Sequence, residues 1–205
     1  HGRSPKSDEF SYDVMSDDLL EYMDKHGFEK ARILGHSMGG KVGMLFAALN
    51  PERTERLLVA DISPRAYEPH HQQLLKALKG LNLENIESRR EAQEQFAIKD
   101  PGVRQFLLKS LYWNDDKKLE WRFNVDVIAR EIEKVTESLP DQAIYQGPTL
   151  FVRGGKSDYI QEEDFELIHS HFPQAKVATV EGAGHWLHAE KPDEFYKIAT
   201  DFFKD

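Results

Sequence analysis

The sequence of 205 residues contains no cysteine. That excludes disulfides, thiolate metal sites and a cysteine nucleophile together, and it suits a reducing compartment, so a cytoplasmic location is expected. Long apolar runs are also missing. None approaches the roughly eighteen residues that a membrane span requires, so no transmembrane segment is expected. An excess of basic residues is absent too: 27 Lys and Arg stand against 36 Asp and Glu, a formal net charge of −9. Phosphate binding needs the opposite balance, which argues against nucleic acid as a partner. The start lacks a methionine, a signal-like stretch or a tag, and His1-Gly2-Arg3-Ser4-Pro5 reads as opening inside a domain.

What is present is a rhythm of strands and helices. Tyr12, Met15, Leu19, Tyr22 and Met23 fall at helical spacing, with Gly27 as a stop. Ala31 to Leu34 reads as a buried strand, Gly35 to Gly40 as a tight turn, Val42 to Leu49 as a helix, and Leu57 to Ala60 as the next strand. The rhythm resumes after Gly147-Pro148, with strands at 149–152 and 177–180 and helices around Phe165 to Phe172 and Phe195 to Phe203. This alternation predicts an α/β fold with a mostly parallel sheet flanked by helices.

Between these halves the texture differs. Over 65–140 strand-like runs vanish and helical stripes take over: Leu74, Leu75 and Leu78; Phe106, Leu107 and Leu111; Val125, Ile128, Ile132 and Val135. This stretch holds thirteen basic and thirteen acidic residues, so the whole of the −9 resides outside it. The predicted organisation is therefore a sheet domain of 1–64 and 141–205, with 65–140 as a helical cap over the sheet's C-terminal edge.

The chemistry rests on Gly35-His36-Ser37-Met38-Gly39, a G-x-S-x-G pattern between a strand and a helix. A serine hydroxyl is a weak nucleophile until a base takes its proton. A sharp strand-to-helix turn lifts Ser37 towards such a base, and crowding at both flanks accounts for Gly35 and Gly39. The Met38 N–H opens the helix and is the candidate donor to a developing oxyanion. A competing reading is a phosphate loop, since Gly35 to Gly40-Lys41 follows most of that pattern. Val42 stands where the magnesium-holding hydroxyl belongs, which weighs against it. The base is His185, in Gly182-Ala183-Gly184-His185-Trp186 after the last strand. Two aspartates qualify as its acid: Asp61 at the end of the second strand, and Asp158 in Gly154-Gly155-Lys156-Ser157-Asp158. His36, Trp121 and Trp186 are candidate pocket residues, among aromatics of the cap (Phe96, Phe106, Tyr112, Trp113, Phe123) that mostly serve packing. His169 and His171 resemble a metal pair but lack a third ligand, so no metal is expected; a helix-end dipole interaction suits them better. His70 and His71 receive no role.

Five segments carry a resemblance across nearly the whole chain: His1 to Pro5, Gly35 to Lys41, Asp61-Ile62-Ser63-Pro64, Trp121-Arg122-Phe123-Asn124, and Gly182 to Pro192. On these the chain resembles the YbfF-type esterases of the α/β-hydrolase superfamily, bacterial relatives of the mitochondrial α/β-hydrolase-domain proteins. The resemblance implies hydrolysis of acyl esters and acyl-CoA thioesters without a cofactor. It selects Asp61 as the acid; Asp158 is a departure and stands as the alternative. It also implies strands and a His-Gly loop ahead of His1, the loop holding a second oxyanion donor outside this chain. The elbow alone leaves open a carbon–carbon bond hydrolase or a cofactor-free haloperoxidase, whereas a haloalkane dehalogenase would need Asp at position 37. A ligand-binding protein without turnover is the reading from another class, and oligomeric state is not legible.

Overall fold

The computed structural model describes residues 5–68 and 72–204; His1 to Ser4, His70 and His71 lie outside them. The chain divides into two compact units, Ser11–Tyr67 with Glu137–Asp205, and His1–Phe10 with Glu68–Thr136.

The first unit begins with α1 (Tyr12–Lys25), capped by the Ser11 hydroxyl, which accepts from Val14 N–H at 3.3 Å. Gly27 takes φ +70° beyond its end, where a side chain would be strained. Strand β1 (Ala31–His36) leads through Ser37 alone into α2 (Met38–Leu49), and β2 (Thr54–Ala60) follows. The helix therefore starts four residues earlier than its apolar pattern indicates, because the glycine-rich stretch is its first turn.

In the second unit the chain forms α3 (Gln72–Gly80), α4 (Arg89–Gln95), α5 (Pro101–Leu108), β3 (Leu111–Trp113), β4 (Leu119–Trp121) and α6 (Val125–Glu131). Strands β3 and β4 form an antiparallel hairpin, with Lys117 at φ +60° in its turn. This corrects the expectation that strands vanish here. Leu111, assigned by spacing to a helical stripe with Phe106 and Leu107, begins β3. Three-residue strands are too short to display a period of two. The unit has its own apolar cluster, centred on Leu78, Phe96, Leu107, Leu111, Leu119 and Trp121.

Back in the first unit come β5 (Thr149–Gly154), α7 (Phe165–His171), β6 (Ala175–Val180), α8 (Leu187–Glu190) and α9 (Pro192–Lys204). The sheet runs β1-β2-β5-β6, every pairing parallel. Both faces of β2 are covered. Leu57 and Val59 face the cluster of Met23, Met44, Phe46, Phe151, Ile168 and Phe172, while Leu58 and Ala60 face Val152, Leu187 and Ala199. Such residues contribute about 1.5–3 kcal/mol each for the larger side chains, and a strand buried on both faces shows as an unbroken apolar run.

Candidate active site

Parallel strands bring their carboxyl ends to one edge of a sheet, and the loops there converge. His36 pairs with Ala60 and Ala60 with Val152, so the residues that follow β1 and β2 emerge side by side. The two turning residues are Ser37 at φ +54° and Asp61 at φ +52°. Neither is glycine, and left-handed backbone in a residue bearing a Cβ persists only when its surroundings impose it. Here Ser37 N–H donates to Ala60 O at 2.9 Å and Asp61 N–H to Val152 O at 2.8 Å, continuing the ladder past each turn.

The glycines explain how tight the first turn is. A Cβ at Gly35 would lie 2.1 Å from the Gly39 carbonyl oxygen, and one at Gly40 would lie 2.6 Å from Ile62 Cγ2. A Cβ at Gly39 would meet nothing within 4 Å. Crowding thus requires glycine at 35 and 40, and the expectation that it does so at Gly39 is corrected.

His185 follows β6, on a loop whose backbone packs against the end of β5: a Cβ at Gly154 would stand 2.3 Å from Gly184 O. Its Nδ1 lies 2.8 Å from Asp61 Oδ2 and its Nε2 lies 3.0 Å from Ser37 Oγ. A carboxylate only accepts, so Nδ1 carries the proton and Nε2 offers its lone pair to the serine hydroxyl. Asp61 is fully buried and receives two further donors. Gly154 N–H reaches Oδ1 at 2.9 Å, and the Ser157 hydroxyl donates to Oδ2. A buried carboxylate needs such partners to remain tolerable as an anion. Asp158 points elsewhere: its carboxylate is exposed and accepts from Gln161 Nε2 at 3.1 Å.

The other named residues fall as follows. Met38 is the first residue of α2, so its N–H has no carbonyl one turn earlier in the helix to bond. His36 does not simply line a pocket: its Nε2–H donates to the His185 carbonyl at 2.8 Å, fixing the histidine loop. Burial holds the His36 imidazole below its usual range, which disfavours a second cation beside His185. Trp186, 39% exposed, stands 6.0 Å from the His185 ring. Trp121 is buried within the helical unit's own cluster, 5.3 Å from Phe123 and 5.7 Å from Phe96. His169 and His171 each donate from Nδ1 to a backbone carbonyl, Phe165 O and Ala143 O, at 2.7 Å.

Lys41 decides the phosphate-loop question. Its side chain is 1% exposed, and Nζ donates to Arg65 O at 2.7 Å and to Glu137 O. The ammonium therefore points into the fold. Burial, reinforced by Arg65, pushes its pKa down to about 8. Sequence reasoning also passed over Ser157. The signal was present, a hydroxyl three residues beyond a strand end, but it lay in a segment read only for its aspartate.

A Ser–His–carboxylate relay at a sheet edge, with a helix N-terminus beside the serine, can activate the hydroxyl and accept negative charge on a neighbouring oxygen. The comparisons agree with that fold. A family profile described as alpha/beta hydrolase fold matches residues 1–192. The chain is 38% identical to the sn-1-specific diacylglycerol lipase ABHD11 of Mus musculus over 210 residues, covering 98% of this chain and 68% of that protein. It is 34% identical to Esterase YbfF of Escherichia coli (strain K12), covering 100% and 80%. Among solved structures, one titled Marine microorganism esterase matches with a TM-score of 0.95 at 37% identity, over 98% of this chain and 81% of the other.

Proposed function

We propose a serine hydrolase mechanism for this chain, which belongs to the alpha/beta hydrolase fold family. The substrate is a carboxylic ester or an acyl-CoA thioester. The observation that carries the reading is the continuous line from Asp61 through His185 to Ser37, with contacts of 2.8 and 3.0 Å. The proton leaves Ser37 Oγ for His185 Nε2 as the Oγ–carbon bond forms, and the carbonyl π pair moves to oxygen, where Met38 N–H receives it. The imidazolium, facing the Asp61 carboxylate, then gives its proton to the departing alcohol or thiol. Water repeats the sequence on the acyl-enzyme and frees the acid.

Asp61 is the acid in this reading and Asp158 a surface residue. Trp186 is a pocket wall. The helical unit is the substrate-selecting insertion, a role inferred from its place in the sequence, and Trp121 belongs to it. The relatives named as an esterase and as a diacylglycerol lipase favour ester cleavage over carbon–carbon or haloperoxidase chemistry. Thioester cleavage needs the same groups, and the charge balance of the helical stretch suits a phosphate-bearing leaving group.

The test is hydrolysis of a short p-nitrophenyl ester, a diacylglycerol and a long-chain acyl-CoA by wild type and Ser37→Ala, with fluorophosphonate labelling of both. Loss of Ser37 is expected to lower kcat by about 10⁴-fold or more and to abolish labelling. Equal turnover by Ser37→Ala would overturn the hydrolase reading in favour of a binding role.

A further inference from the structure

The two hydrogen bonds of His185 lie in the plane of its ring, so they leave the tilt of that plane to other contacts. One contact stands out by geometry. The Tyr159 ring lies 4.0 Å from the His185 ring, centroid to centroid, at 22°, which is a stacked arrangement. Tyr159 is held from its backbone by residues that also build the acid's surroundings. Its carbonyl accepts from Tyr67 Oη–H at 2.6 Å, and Tyr67 Oη in turn accepts at 2.7 Å from the N–H of Ser63, two residues past Asp61. Its own N–H donates to Ser157 Oγ at 3.3 Å, and Ser157 in turn donates to Asp61. The Tyr67 and Tyr159 rings are 5.3 Å apart. The acid loop, Ser157 and Tyr159 thus form one hydrogen-bonded assembly, with the tyrosine ring laid against the base.

We infer that Tyr159 is the positioning residue for His185: it fixes the plane of the imidazole so that the Nε2 lone pair stays on Ser37 Oγ, and it offers its π face to the imidazolium formed in each acyl-transfer step. This rests on the serine hydrolase reading above. The aromatic face carries negative charge density, so it favours the cationic ring over the neutral one. That difference is realised after the proton has moved, and it therefore acts on kcat rather than on substrate binding. Burial, with Asp61 nearby, raises the Tyr159 phenol above its usual range and keeps the ring neutral at working pH. His36, 4.7 Å from His185 and tilted by 40°, offers no comparable stack.

The experiment compares wild type, Tyr159→Phe and Tyr159→Leu on a p-nitrophenyl ester, with thermal melting and the low-field proton NMR signal of the His185 Nδ1–H. Tyr159→Leu is expected to lower kcat about tenfold with KM within about twofold, and to broaden the low-field signal. Tyr159→Phe keeps the ring face and is expected to restore both. If Tyr159→Leu does not fold, Tyr159→Met is read in its place. Three results would overturn the assignment: full kcat in the aliphatic variant, a rise in KM at unchanged kcat, or a fall in Tyr159→Phe as deep as that in Tyr159→Leu. Ser37→Ala, run alongside, separates the two failures. If it is inactive while the aliphatic variant is fully active, only the role of Tyr159 is lost. If it is active, the hydrolase reading itself is lost.

Discussion

The sheet unit and the helical unit both bury apolar clusters, but they treat polar groups differently. In the sheet unit Asp61, Lys41, Asp164 and His171 all lie out of solvent, together with several hydroxyls. In the helical unit Thr136 is the buried member of the polar and charged class among the described residues, and it sits at the unit's end. Burying a charge is costly unless dedicated partners receive it. Asp61 has three donors, Lys41 two carbonyls, and Asp164 an ion pair with Arg65 at 2.9 Å. Among the described residues, such partnered buried charges are thus concentrated in the sheet unit, the unit to which the proposed mechanism assigns its chemistry. The other unit is held by side-chain packing, which tolerates substitution as long as volume and patterning survive.

The contrast is broken most severely at Asp61, the acid of the proposed mechanism. Asp61→Asn is expected to leave the fold in place and lower kcat about 10⁴-fold, because the amide no longer holds the imidazole in its required tautomer or faces its cation. Asp158→Asn, on the exposed side of the next loop, should remain within about twofold. Steady-state ester hydrolysis measures both; a reversal of the pair would transfer the acid's role to Asp158.

A smaller but still large effect separates two glycines of one turn. Gly35→Ala forces a Cβ into the Gly39 carbonyl and is expected to cost more than about 3 kcal/mol or to prevent folding. Gly39→Ala enters open space in the first turn of α2 and should fall within about 1 kcal/mol of wild type. Urea denaturation distinguishes them, and equal penalties would mean that the elbow is not shaped by the contact at Gly35.

Lys41→Met sharpens the comparison through pH. The substitution removes the donor from the part-buried hydrogen bonds to the Arg65 and Glu137 carbonyls, for about 1–3 kcal/mol at pH 7. Lys41 titrates near pH 8 in the folded chain and near 10.4 when unfolded. Between those values the unfolded state binds a proton that the folded state does not, so wild-type stability gains from rising pH, by up to about 1.4 kcal/mol per unit. The penalty of Lys41→Met should therefore grow from pH 8 to pH 10. Denaturation at pH 7, 8.5 and 10 checks this; a constant difference would show that the lysine is not held down by burial.

Much of this was legible beforehand because local chemistry demanded it. The alternation of apolar runs announced the parallel sheet, and the small residues around Ser37 and His185 announced tight loops at strand ends. The carboxylate that pairs with His185 was harder. Asp61 and Asp158 both follow strands, and the choice depends on which loop packs under the histidine, a tertiary fact without a local signature. The same holds for Ser157 and Tyr159, whose roles arise from a neighbour 96 residues away in one case and an imidazole from another loop in the other. The β3–β4 hairpin escaped because each strand is too short to show its period. Lys41 kept a competing phosphate-loop reading in view because the pattern records its position beside the loop but not its direction.

That direction has a consequence for how the protein can change. Lys41 grips the carbonyls of Arg65 and Glu137, and Leu139 N–H donates to Pro64 O at 2.8 Å. These contacts lie within the sheet unit, just before the chain leaves it after Tyr67 and just after it returns at Glu137. The two ends of the excursion are thus tied together by the scaffold itself. Closing a flexible loop costs only about 0.6 kcal/mol more for each doubling of its length, and here the closure is already made. For an evolving lineage, or for an engineer exchanging modules, a change of length in the stretch between them is expected to leave this closure in place.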